Sequence, residues 1–126
     1  MIAIILSATN IFDKLEQDLL KRGVPVLKEI PNELPSNSIL IVSGKKAEEV
    51  LSLKLDSKVF ANFLVLKNNK ISFDKEKTNS KYFIYSTKKE TWHEDLANKA
   101  GSEILYFENE EELTEEILID VISLSH

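Results

Sequence analysis

The sequence predicts an α/β domain: a three-layer sandwich in which helices cover both faces of a mostly parallel sheet of five or six strands. Three observations lead there. The run at Ile2–Leu6 is continuously apolar, and 38–42 and 59–66 are apolar except at Ser38 and Asn62; none alternates, the pattern of strands buried on both faces. Segments with helical spacing of apolar residues lie between strand runs, and that alternation builds right-handed β-α-β units. The chain, 126 residues with 43% hydrophobic and 29% charged content, suffices for one domain over 1–126 with its own core.

In order along the chain, Ile2–Leu6 is the first strand, and Ser7-Ala8-Thr9-Asn10 is a turn with Asn10 as the expected N-cap of a helix. That helix runs to about Arg22, buries Phe12, Leu15, Leu19 and Leu20, and stops at Gly23. A strand is expected over 24–30, with Pro25 near its start pointing to an edge position or to the strand's first residue, because proline cannot donate to the ladder. Residues 31–37, with two prolines, are too broken for a helix. The strand at 38–42 leads through Ser43-Gly44 into a short helix over 47–55 with Ala47, Val50 and Leu51 inward. Residues 59–66 are β-prone, and Asn68-Asn69 suits a tight turn that would return 71–73 as a hairpin strand. Lys81–Ser86 is the next strand. Thr91-Trp92-His93-Glu94 has the form of a capping box opening a helix that closes on Ala100-Gly101. Residues 104–107 form a last buried strand, and Asn109 with Glu112 opens a helix over 110–124 that buries Leu113, Ile117, Leu118, Val121 and Ile122.

Composition removes several function classes. Without cysteine there is no disulfide, thiolate metal site or thiol nucleophile. Met1–Leu6 is short and lacks a basic flank, so it reads as a strand and not as a signal peptide, and no run approaches the length of a membrane span. A cytoplasmic location is expected. The net charge of −5 argues against nucleic acid as a partner of this domain. Charge is nonetheless uneven: residues 67–89 are rich in lysine and 108–116 in glutamate, two solvated faces or an electrostatic contact with a partner or another copy.

One stretch carries a family likeness. Lys81–Leu113 has an apolar strand ending in Ser86-Thr87, a helix closing on Ala100-Gly101, a short strand with the aromatics Tyr106-Phe107, then Glu108-Asn109 and a final helix. This resembles the C-terminal half of a response-regulator receiver domain, of CheY-like or flavodoxin-like fold, and Met1–Gly23 fits the same pattern, so the likeness covers about two thirds of the chain. The residues that run receiver chemistry are missing. Ser7-Ala8 stands where the family has its acidic pair for Mg²⁺, Ser43 or Gly44 where it has the phospho-accepting Asp, and Glu108 where it has the Lys that pairs with the phosphate; only the hydroxyl, Thr87, is kept. Phosphoryl transfer to a carboxylate needs the metal to neutralise charge. The resemblance therefore implies a degenerate receiver that is not phosphorylated on Asp, without a second helix between its second and third strands and with an insertion at 58–80.

No catalytic constellation is visible, so no enzyme activity, metal or cofactor is expected. Ser43-Gly44-Lys45 is not a P-loop, no serine sits in a Gly-x-Ser-x-Gly elbow, and His93 has no second ligand at metal spacing, so it reads as a solvated surface residue. Ligands of open α/β sheets bind beyond the carboxyl ends of the strands. Ser7, Thr9, Ser43, Lys45, Lys46, Thr87 and Lys88 gather there as candidate ligand-binding residues, with Lys45 and Lys46 either simply exposed or placed to meet an anion at a helix start. By the family likeness, Trp92, His93, Lys99, Tyr106, Glu110 and Glu111 are candidates for an interaction surface that takes a protein partner or a second copy through the last helices. The leading expectation is a non-catalytic regulatory module acting by protein–protein contact; the alternative is a nucleotide or phosphate sensor at the strand ends.

Overall fold

The computed structural model describes residues 1–52, 59–71 and 81–124. Its strands are β1 (Ile2–Leu6), β2 (Val26–Leu27), β3 (Ser38–Ser43), β4 (Val59–Val65), β5 (Lys81–Ser86) and β6 (Ile104–Tyr106). Its helices, among the described residues, are α1 (Asp13–Lys21), α2 (Lys45–Ser52), α3 (His93–Ala100) and α4 (Glu110–Leu124). The strands form one sheet in the order β2-β1-β3-β4-β5-β6, and every neighbouring pair is parallel. The architecture is the three-layer, flavodoxin-like α/β sandwich that the apolar runs predict.

Alternation of side chains across each strand divides the core in two. Ala3, Ile5, Ile39, Ile41, Phe63 and Tyr85 face α1 and α4 and pack on Phe12, Leu15, Leu19, Leu113, Ile117 and Val121. Ile4, Leu40, Val42, Leu64 and Ile84 face the other way, onto Ala47 of α2 and Leu96 and Ala100 of α3. On the α1/α4 side Phe63 stacks on Phe83 at 4.8 Å, and Tyr85 lies between Phe63 and Phe107. The inner strands are apolar on both sides because both sides are covered.

Several boundaries differ from expectation. The strand expected over 24–30 shrinks to Val26–Leu27; it lies at the sheet edge, one of the two placements that Pro25 allows, and the Pro25 carbonyl accepts the Ala3 N–H at 2.9 Å. Asn10 is not the N-cap of α1. Phe12 takes that position with no side-chain cap, and Asn10 accepts the Asp13 N–H with its backbone carbonyl instead. Leu20 points outward, at 53% exposure, because Leu15 and Leu19 already fill the inward stripe. No helix joins β2 to β3, in keeping with the broken 31–37 segment.

The largest correction concerns 58–80. Val59–Val65 is not one arm of a hairpin: it is a central strand, with β3 on one edge and β5 on the other. Both its edges are used, so no return strand pairs with it after Asn68-Asn69; Ile71 is buried outside any strand, and residues 72–73 lie outside the described residues. The end of the helix expected over 47–55 also falls beyond Ser52, where description stops. Gly101 closes α3 in the left-handed region at φ 66°, with the Ser102 N–H reaching the Ala97 carbonyl at 3.1 Å. Asn109 Oδ1 caps α4 through the Glu112 N–H at 2.9 Å, as the sequence predicts.

Candidate functional site

Two regions answer to the residues singled out in the sequence. The first is the carboxyl edge of the sheet. The strand order reverses between β1 and β3, and there Ser7 Oγ lies 2.7 Å from Ser43 Oγ. Ser7 Oγ also lies 3.2 Å from Thr9 Oγ1 and accepts the Thr9 N–H, so these three candidates do come together. Their hydroxyls are satisfied mainly by one another.

Lys45 and Lys46 open α2, but Lys46 is paired with Glu49 at 3.3 Å and Lys45 is exposed. Thr87 and Lys88 stand two strands away from Ser43, beyond β5, beside a cleft of about 200 Å³. Ser86, which sequence reasoning did not select, organises that turn: its buried hydroxyl donates to the Lys88 carbonyl at 2.7 Å and accepts the Lys88 N–H at 3.2 Å. Lys67 was also missed. From the end of β4 it reaches Glu110 at the start of α4, 2.5 Å away and 43 positions on in sequence, a pairing that no local pattern reveals. Lys88 lies 3.5 Å from Glu90. The cleft thus holds two lysines, each beside a glutamate, and offers an anion no spare positive charge. It is also below the roughly 300 Å³ at which ligand pockets usually begin.

The second region lies between α3 and β6, and here the structure corrects two expectations. His93 is not solvated: it is 2% exposed, at the first position of α3. The capping box is not formed, since Trp92 occupies the N-cap without a side-chain cap. Instead the imidazole closes the turn, its Nδ1 accepting the Glu90 N–H at 3.3 Å with Tyr106 Oη at 3.0 Å. An acceptor at Nδ1 leaves the proton on Nε2, which is buried and unpartnered among the described residues. Burial pushes the His93 pKa down, opposed by the Glu90 carboxylate, and burial raises that of Tyr106. The rings of Trp92 and Tyr106 flank the imidazole, edge-on at 4.4 Å and stacked at 5.9 Å.

β6 is likewise not the buried strand expected over 104–107. It ends at Tyr106, has β5 as its one sheet neighbour among the described residues, and leaves Leu105 and Tyr106 each 42% exposed. Beside it runs an open groove of about 410 Å³ whose floor is Ile104, Tyr106 and Ala97 and whose rim carries Glu90, Glu94 and Glu103 with Lys89. Of the six surface candidates, Trp92, His93 and Tyr106 meet here. Lys99 is on the outer side of α3, paired with Asp95 at 3.1 Å. Glu110 is held by Lys67, and Glu111 is exposed in the first turn of α4.

No group of three or more His, Asp or Glu side chains among the described residues is arranged to hold a metal ion. No described helix is long and apolar enough to cross a membrane. A scan of family models, of curated proteins and of solved structures found no match to this chain.

Proposed function

We propose that this domain is a non-catalytic interaction module that docks a protein partner on the face formed by α3 and the open edge of β6. The observation that carries the reading is that edge: a strand with one neighbour among the described residues, two large apolar side chains in solvent and an open groove beside it. Exposed apolar surface collected on one edge and rimmed by polar groups favours a contact over a solvated surface. At the strand carboxyl ends, by contrast, the hydroxyls are mutually bonded and the lysines beside the cleft lie against glutamates, which favours docking over nucleotide or phosphate sensing. A degenerate receiver that signals by contact, without Asp phosphorylation, is the regulatory role that fits this reading.

Photo-crosslinking tests it. A benzophenone side chain placed at Leu105, and separately at Gln17 on the exposed side of α1, is irradiated in extract of the native cell. The reading expects a discrete adduct from position 105, competed by unlabelled protein and absent from position 17. A flat result at 105 together with a thermal shift on adding a nucleotide that Lys88→Ala abolishes would overturn it in favour of the sensor.

A further inference from the structure

We propose that the β6 edge takes an extended basic segment of the partner as a seventh strand, with lysine or arginine on the groove side and apolar residues on the other. The inference rests on the docking reading above and adds the chemistry of the occupant.

Three features specify it. The first is the backbone. The Phe107 N–H donates to the Ser86 carbonyl at 2.9 Å, so by the alternation of a parallel ladder Leu105 also faces β5. The amides and carbonyls of Ile104 and Tyr106 then point away from β5, to the edge where no described strand pairs. Such a row is a template for an added strand.

The second is charge. Side chains of an added strand alternate between faces. Those on the α3 side fall over the groove, whose rim has three carboxylates and one lysine. Glu94 and Glu103 make no ion pair among the described residues, so they are available to a cation, and the Tyr106 ring offers it a face. On the opposite side the added strand meets the exposed Leu105, which selects apolar residues at the intervening positions.

The third argues against a second copy. Two β6 edges paired about a two-fold axis would bring two acidic grooves together and set Glu103 of each beside the other's edge, with no basic residue in 102–110 to compensate. The occupant is therefore a different chain, of opposite charge.

The probe is a fluorescent, capped heptapeptide alternating lysine and valine, followed by anisotropy. Controls are the glutamate–valine counterpart and a lysine–valine peptide N-methylated at alternate positions so that one edge cannot hydrogen-bond. The lysine peptide is expected to bind, to slow hydrogen exchange at the Ile104 and Tyr106 amides, and to weaken roughly tenfold in Glu94→Gln/Glu103→Gln, as expected from losing two exposed ion pairs. High salt should weaken it similarly. Equal binding of the glutamate peptide, indifference to N-methylation, or unchanged exchange at 104 and 106 would each overturn the inference. Absence of lysine-peptide binding while the adduct from position 105 persists overturns the basic-strand inference alone; loss of both removes the docking surface as well.

Discussion

Deleting the Tyr85 hydroxyl and deleting its acceptor should have unequal costs, and the inequality tests how the α4 face of the core is held. Tyr85 is fully buried and its Oη donates to Asp120 Oδ2 at 2.6 Å. Burial, then the hydrogen bond and the charges of Asp120 and Glu116, raise the phenol pKa far above its usual value, so the hydroxyl remains a donor at every working pH. Tyr85→Phe keeps the ring between Phe63 and Phe107 and removes one charge-assisted bond, while the half-buried Asp120 turns to water; the cost is about 1–2 kcal/mol. Asp120→Ala instead leaves a buried hydroxyl with no acceptor, and the cost rises to roughly 2–3 kcal/mol. Relief of the Asp120–Glu116 repulsion returns only about 0.3–0.5 kcal/mol of that. For 126 residues, an unfolding entropy of about 2.1 cal/mol/K per residue converts each kcal/mol to roughly 4 °C of Tm. Far-UV circular dichroism melts should then place Tyr85→Phe about 4–8 °C below the parent and Asp120→Ala about 8–12 °C below it. The double variant should lie close to Tyr85→Phe, because with the hydroxyl gone nothing is orphaned. An Asp120→Ala loss no larger than that of Tyr85→Phe, or additive losses in the double variant, would refute the reasoning.

Three further outcomes follow from the same chemistry. The Glu116 pKa is raised above 4.5 by burial first and then by Asp120, so the folded state binds its proton more tightly than the unfolded chain does. Its contribution is present at low pH and is lost as pH rises through the folded value; Glu116→Gln should match the parent in acid and melt higher than it near neutrality, in thermal melts across a pH series. His93 has the opposite sign: its pKa is lowered below 6.5 by burial, so stability falls as pH drops through 6.5, and an NMR titration of the imidazole should find its midpoint below 6.5 and lower still in Glu90→Gln, which removes the opposing charge. Asn109→Ala removes the one side-chain cap seen at α4 and should cost about 1 kcal/mol, whereas Thr91→Ala at the unformed capping box should leave Tm within error.

What could be read in the sequence was whatever is decided locally. The Asn109 cap, the Gly23 and Gly101 stops and the two-sided burial of β3 each depend on residues a few positions apart. The meeting of Ser7 with Ser43 was also foreseeable, because the rule for the strand ends is topological and needs only the strand order. Expectation failed where a distant segment decides. The turn-forming Asn68-Asn69 looks like a hairpin until β5 occupies the edge of β4 that a return strand would need. His93 stands among polar neighbours, and it is Tyr106, thirteen positions on, that closes over it. A run such as 104–107 has the same apolar composition in the middle of a sheet as at its margin, so composition alone could not show that β6 has one side unpaired among the described residues.

That free side needs an explanation, because an exposed strand edge invites aggregation as readily as binding. β2, at the other margin, is blunted: it pairs over two residues and follows a proline. β6 pairs over only three residues and is bracketed by Glu103 and Glu108, with Glu94 across the groove. Short length and like charge together oppose growth of the sheet by copies of itself. They do not oppose a basic segment, for which the same carboxylates are attractive. On the proposed docking, the arrangement that opposes self-pairing is also the one that would select a partner by charge, with no need of a carboxylate pocket, metal or phosphate at the carboxyl ends of the strands. A surface of this kind suits a module that answers to which chain is present rather than to a chemical modification of its own.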